Sequence, residues 1–231
     1  MFDLTGKVAL ITGSTKGIGK SIAEEMARAG AKVVVSSRKA DAVEAVTKEL
    51  TAAGREAIGV PCNIGSKAEL QNLVDKTMAK WGRIDILVCN AAINPHFGSI
   101  TKVSDEVFDK MMGSNIRSIF WLSNMVLPQM AERKDGAMII ISSIAALRGS
   151  NVNGLYGVTK AADSPVVERR AECVCGVIHE RDPPAAFPAG MLDHLLEFIH
   201  LARQAVSMDS DHNRDVLVLV EQHFQVGWIE G

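Results

Sequence analysis

An excess of charge of either sign is missing from this chain: 25 Lys and Arg stand against 27 Asp and Glu, a formal net charge of −2. Nucleic acids and anionic membranes are held by concentrated basic surface, so neither is expected as the main partner. No apolar run approaches the roughly 20 residues that cross a bilayer, so no membrane-spanning helix is expected. Met1-Phe2-Asp3-Leu4-Thr5-Gly6-Lys7 runs straight into a strand pattern, and no signal peptide is expected there. Cysteine occurs only four times. Cys62 and Cys89 fall at strand ends, where a small buried thiol is the plain reading. Cys173 and Cys175 with His179 make an incomplete ligand set, so no metal is expected and a reducing cytoplasm fits best. Tyrosine is scarcer still, with Tyr156 alone. What remains is ordinary for a globular protein: 47% hydrophobic and 23% charged over 231 residues, enough for one α/β domain or at most two small ones.

The first two-thirds of the chain alternates short apolar runs with helical patterns. Val8-Ala9-Leu10-Ile11, ended by Thr12-Gly13, reads as a buried parallel strand. Ile18, Ile22, Met26 and Ala29 have helical spacing over 17–29, and Gly30 stops that helix. A second strand is predicted at 32–36, a helix at 41–53 before Gly54, and a third strand at 57–60. Ser66-Lys67-Ala68-Glu69 has the form of a capping box opening a helix that carries Leu70, Leu73, Val74 and Met78 on one face. A fourth strand at 84–89, a long helical stretch over 104–130 broken near Gly113, and a fifth strand at 138–141 follow. Crossovers this short imply parallel strands in a Rossmann-type doubly wound sheet, three layers α/β/α.

Thr12-Gly13-Ser14-Thr15-Lys16-Gly17-Ile18-Gly19 lies between the first strand and helix. Glycines suit a sharp turn there and let the backbone approach a pyrophosphate, which the N–H groups and positive end of the helix receive. The second strand ends Ser36-Ser37-Arg38. A carboxylate at that point would accept from a ribose 2′-OH and repel a 2′-phosphate; hydroxyls and a guanidinium, with Lys16 nearby, predict NADP(H) instead.

These residues resemble a known family. Thr12-Gly13-x-x-x-Gly17-Ile18-Gly19, Asn90-Ala91-Ala92, Asn115, Ser142-Ser143 and Tyr156-x-x-x-Lys160 are similar to the ordered motifs of the short-chain dehydrogenase/reductases. Asn90 to Gly98 is similar to the NADPH-dependent carbonyl and retinol reductases among them. The resemblance implies a carbonyl/alcohol oxidoreductase. In it Tyr156 is the acid that protonates the forming alkoxide, and Lys160, at i+4, lies beside the phenol, favours phenolate and holds the ribose hydroxyls. Ser143 would hydrogen-bond the substrate carbonyl, and Asn115 would hold a water in a proton relay to Lys160. Gly13, Ser14, Lys16, Gly17, Ile18 and Gly19 would meet the phosphates, and Ser37 and Arg38 the 2′-phosphate. Asn63 and Ile64 would lie at the adenine, with Asn90, Ala91 and Ala92 along the nucleoside.

The resemblance stops after Ala162, which divides the chain into a dinucleotide-binding core at 1–162 and an atypical segment at 163–231. Four of the seven prolines and five of the six histidines lie beyond it. Pro165 falls where the family continues the Tyr-Lys helix, and an interior proline costs roughly 3 kcal/mol. No Asn-x-x-x-Pro-Gly follows, so the elements that shape a substrate pocket are absent, and the segment reads as a replacement tail such as a frameshift or rearrangement produces. Within it a helix is expected at 191–206 and a strand at 216–220. Without the family's sixth strand, the fifth is expected to present an exposed edge. Three functions follow: a carbonyl/alcohol oxidoreductase, a nucleotide-binding protein with impaired catalysis, or a 3-oxoacyl-carrier-protein reductase. The family commonly forms tetramers through the helix that bears Tyr and Lys, which implies a homo-oligomer; its interruption here leaves assembly open.

Overall fold

A computed structural model describes residues 3–147, 150–163, 176–177 and 218–222. Strands β1 (Val8–Thr12), β2 (Lys32–Ser36), β3 (Ala57–Gly59), β4 (Ile86–Cys89) and β5 (Ala137–Ile141) are joined by helices α1 (Gly17–Arg28), α2 (Ala40–Ala52), α3 (Lys67–Trp81), α4 (Asp105–Met112) and α5 (Ser118–Arg133). After β5 come α6 (Gly154–Ala161) and two short strands, β6 (Gly176–Val177) and β7 (Val218–Gln222). The sheet order is β3-β2-β1-β4-β5-β7-β6, with β1 to β5 parallel. The reversal of strand order falls between β1 and β4, where an open α/β sheet forms its crevice.

Period-two alternation along each strand divides the core between the two faces of the sheet. Leu10, Val34, Leu87, Met138 and Ile140 face Leu70, Leu73 and Val74 of α3 and Ile119, Leu122 and Val126 of α5. Ala9, Ile11, Val33, Val35, Val88 and Ile139 face Ile22 and Met26 of α1 and Val43, Val46 and Leu50 of α2. The three-layer α/β/α arrangement follows from that alternation.

Several expectations are corrected. The strand β5 is not an edge: β7 pairs with it antiparallel along its whole length, from Ala137↔Gln222 to Ile141↔Val218. Chain from beyond the motif break therefore satisfies the backbone groups that were expected to lie open. That strand is the one anticipated at 216–220, two residues further on. The capping box closes differently. Ser66 Oγ accepts from Glu69 N at 3.3 Å, but the Glu69 carboxylate accepts from Asn63 N at 2.8 Å and not from Ser66. Near Gly113 the chain does not break; it widens into one π-helical turn, Gly113–Arg117, linking α4 to α5. Helix α6 ends at Ala161, four residues before Pro165, consistent with the bias of pre-proline residues away from helix. The helix anticipated at 191–206 and the Cys173, Cys175 and His179 group lie outside the described residues. Among the described residues no helix is long and apolar enough to cross a membrane, and no group of three or more His, Cys, Asp or Glu is placed to hold a metal.

Candidate active site

The strand registers bring Thr12, Ser36, Cys89 and Ile141 to one edge of the sheet, the carboxyl edge. The opposite edge is closed by Asp85. Its buried carboxylate accepts from Val8 N at 2.9 Å and pairs with Arg83 and Arg133.

At the carboxyl edge the glycine loop turns through positive φ at Gly13 (69°) and Gly17 (53°), a region that favours glycine. Gly19 is glycine for a different reason: a Cβ there would stand 2.3 Å from Gly13 O and 2.4 Å from Asn90 Nδ2. Asn90 occupies that space because its amide donates to Thr12 O at 2.9 Å and Gly13 O at 3.2 Å, while Thr12 Oγ1 accepts from the backbone of Asn90 and Ala91. Asn90 thus fastens the β4 loop to the glycine loop with its side-chain N–H groups. Ser14, expected at the phosphates, is fully buried. Its hydroxyl donates to Ile11 O and accepts from Ser36 N at 2.8 Å, tying β1 to β2.

The loop nevertheless fits a dinucleotide. Helix α1 begins at Gly17 with no side chain capping it and no acidic residue in its first turn, which leaves its positive end available to an anion. Lys16 and Arg38 are exposed, Ser37 is half-buried, and neither cation belongs to any ion pair among the described residues. Lys39, overlooked in the sequence, adds a third exposed cation beside Arg38. Ile18, Asn90 and Ala91 are half-buried and Ala92 is exposed along the crevice. Beyond β3, Ile64 is buried and Asn63 exposed, with Asn63 Oδ1 accepting from Gly65 N at 3.1 Å.

The proton-transfer group lies on α6 and the turn after β5. Ser143 is half-buried, and its Oγ accepts from Ala145 N at 3.2 Å. Ser142 is buried and donates to Lys160 O at 3.0 Å, locking α6 to the strand end. Closeness is enforced at Gly157, where a Cβ would meet Ala145 O at 2.7 Å. Asn115, buried in the π-helical turn, accepts from Ile93 N at 2.8 Å and donates to Ile93 O at 2.9 Å and Thr159 Oγ1 at 3.0 Å. Its side-chain amide therefore joins the β4 loop to α6.

Tyr156 is half-buried, and the Lys160 ammonium stands 5.9 Å from its ring centroid. The ammonium donates to Ile141 O at 2.8 Å and pairs with Asp163 Oδ2 at 3.2 Å. Sequence reasoning missed Asp163; an acid at i+3 from Lys160 on a helix was the available signal. Burial and the Asp163 charge push the Tyr156 phenol above its ordinary value, so the expected net lowering by Lys160 is not found here. Burial also pushes Asp163 up, partly offset by Lys160. The thiols of Cys62 and Cys89 are buried and pushed up to about 12, chiefly by burial, which leaves them unreactive.

A glycine-rich turn at the crevice of a doubly wound sheet, with a Tyr/Lys helix across from it, defines a dinucleotide-binding oxidoreductase class of fold. The chain belongs to the short chain dehydrogenase family, whose model matches residues 7–171 and so extends past Ala162. Among relatives, dehydrogenase/reductase SDR family member 4 is 43% identical over 159 residues in Homo sapiens and 40% identical over 159 residues in Oryctolagus cuniculus. Each alignment takes in 69% of this chain, which spans 57% of the human relative and 61% of the rabbit one. A 7α-hydroxysteroid dehydrogenase complexed with NADH and 7-oxo glycochenodeoxycholic acid superposes with a TM-score of 0.68 at 38% identity, covering 71% of this chain and 64% of its own. A metagenomic short-chain oxidoreductase in complex with NADP gives 0.65 at 30% identity, covering 69% and 72%.

Proposed function

We propose that the chain is an NADP(H)-dependent oxidoreductase that interconverts a carbonyl and a secondary or primary alcohol. The observation that carries this reading is the placement of Ser143, Tyr156 and Lys160 at the same sheet edge as the uncapped start of α1. The relatives named above are dehydrogenases and reductases, and one structural neighbour holds NADP while another holds NADH. The choice of NADP(H) rests on Lys16, Ser37 and Arg38, since a guanidinium and an ammonium at the end of β2 attract a 2′-phosphate. The two protonated thiols suit a reducing compartment such as the cytoplasm.

In this reading the N–H groups at the start of α1, around Gly17 to Gly19, hold the pyrophosphate and the Lys16 and Arg38 cations hold the 2′-phosphate. Asn63, Ile64 and the Asn90 to Ala92 loop flank the nucleoside. Ser143 Oγ donates to the substrate oxygen and orients the carbonyl. Tyr156 gives its proton to the alkoxide as it forms and takes it back in the reverse direction. Lys160 steadies the phenol and the ribose. The nucleotide, when bound, supplies or accepts the hydride. Asn115 acts by holding the β4 loop against α6.

The engagement of Lys160 with Ile141 and Asp163 favours a second reading, a nucleotide-binding protein with weak catalysis. Turnover of a ketone and alcohol panel, followed by absorbance of reduced nicotinamide with NADPH and with NADH, separates the two. Tyr156→Phe is expected to lower kcat by about a hundred- to ten-thousand-fold while leaving NADPH binding intact. Tight binding with no turnover by the unaltered chain would establish the second reading; no binding would end both.

A further inference from the structure

Helix α6 starts after an asparagine whose side chain does not cap it. Helices α3 and α4 start after Ser66 and Ser104, whose hydroxyls accept from Glu69 N and Val107 N, the usual service of a polar residue at that place. Asparagine ranks with serine there, and Asn153 stands at that place before α6, with Tyr156 as the third residue of the helix. Its Oδ1 instead accepts from Asn94 Nδ2 of the β4 loop at 3.3 Å. Backbone contacts close beside this bond: Gly98 N donates to Val152 O at 2.8 Å, and Gly98 and Asn153 form a single parallel bridge. The bond does not complete Asn94 either, since its Oδ1 is buried with no partner among the described residues. Local hydrogen bonding is thus left unmade at both residues, and departures of this kind gather where a protein serves a site. We propose that Asn153 and Asn94 are positioning residues for Tyr156: their side-chain bond latches the start of its helix to the β4 loop and sets the gap between them.

The latch rests on the acid/base reading of Tyr156 and accounts for what holds that residue in place. The β4 loop leaves the sheet after Cys89, is fixed at Ile93 by the Asn115 side chain and meets the start of α6 at Asn94 and Gly98. Further along the helix, Ser142 bonds Lys160 O and Gly157 packs against Ala145. The latch acts at the other end, three residues before Tyr156. Proton transfer needs hydrogen-bond reach, so a shift of about 1 Å at the phenol costs up to about a hundred-fold in rate. The groups read as holding the nucleotide phosphates lie at the start of α1 and the end of β2, away from this bond. Loss of the latch therefore acts on turnover and leaves nucleotide affinity in place.

Asn153→Ser separates position from stability, because a serine hydroxyl caps a helix but is too short to reach Asn94. In the nucleotide-free chain this variant is expected to keep or raise the urea midpoint, while amide exchange at Gly98 quickens about tenfold as the latch opens. The kcat for a carbonyl substrate is expected to fall about ten- to a hundred-fold, with the Kd of NADPH unchanged. Asn153→Asp keeps an acceptor for Asn94 Nδ2 and is expected to retain both the slow exchange and the kcat. Asn94→Ala removes the other half of the bond and should reproduce the loss, and the double variant should lose no more than the worse single one. Unchanged Gly98 exchange in Asn153→Ser and Asn94→Ala would show that the bond latches nothing. A urea midpoint and an NADPH affinity that fall together with kcat would show that Asn153 only supports the fold. Either result overturns the proposal. Exchange and unfolding need neither nucleotide nor turnover, so this failure is distinct from that of the oxidoreductase reading, which NADPH binding and turnover by the unaltered chain decide.

Discussion

At Gly19 one added carbon is enough to disturb the site. The carbonyl of Gly13 and the amide of Asn90 already fill the space on either side, at 2.3 and 2.4 Å from where a Cβ would sit. One neighbour is backbone, which cannot swing aside as a flexible side chain does. Gly19→Ala is therefore expected to destabilise the chain by about 1–3 kcal/mol and to abolish measurable NADPH binding. Gly113→Ala is the matched control: its φ is −62° and nothing lies within 4 Å, so it should be neutral or stabilise by up to about 1 kcal/mol. Urea unfolding and nucleotide titration of the two variants check this; equal behaviour would contradict the crowding argument. The same region shows how a serine and an asparagine in a binding motif differ in use. Ser14 and Asn90 both spend their polar atoms inside the protein, and a residue list cannot distinguish that from ligand contact, because both uses need the same donors and acceptors.

Among the elements, β7 decides most about the sheet. Five residue pairs join it to β5, so the strand that leads into Ser142 and Ser143 has hydrogen-bonded neighbours on both sides, β4 and β7. Val220 pairs with Ile139 at the middle of that ladder. Val220→Pro removes a donor and distorts the strand, and is expected to cost about 1–3 kcal/mol and to speed amide exchange across Ile139 to Ile141. Protection unchanged in the variant would show that β7 contributes nothing to β5. The helix α6 is short, only eight residues, and its hold on the sheet comes from the Ser142–Lys160 bond, the Gly157 contact with Ala145 and the Asn115–Thr159 bond. Two separate segments, the turn after β5 and the π-helical turn, thus place one Tyr/Lys pair.

For the whole molecule, alkaline pH is the condition under which buried groups cost stability. The folded-state values of Cys62 and Cys89, about 12, lie above the ordinary 9.0 of an exposed thiol. Below pH 9 both states keep these protons and nothing is lost. As pH rises from 9 toward 12 the unfolded chain releases them and the folded chain does not, so stability falls, at about 1.4 kcal/mol per pH unit for each thiol. Tyr156, also pushed up, acts in the same direction. The urea midpoint is expected to drop between pH 8 and about 10.5. A Cys62→Ala, Cys89→Ala double variant that loses stability just as steeply would reject the thiols as the cause.

The chain's periodicity and spacing determined the parallel α/β sandwich, the glycine turn, the Tyr/Lys pair and the basic end of β2, because each depends on residues near one another in sequence. Burial, register and long-range pairing were decided only in three dimensions. The uses of Ser14 and Asn90, the π-helical turn that keeps α4 and α5 continuous and the return of β7 to β5 are of this kind. So is the buried pairing of Lys160 with Asp163. An acid three residues beyond a lysine is visible in any helix, but its force depends on exclusion from water: exposed, the pair would be screened to little effect, whereas at the end of β5 both side chains are buried.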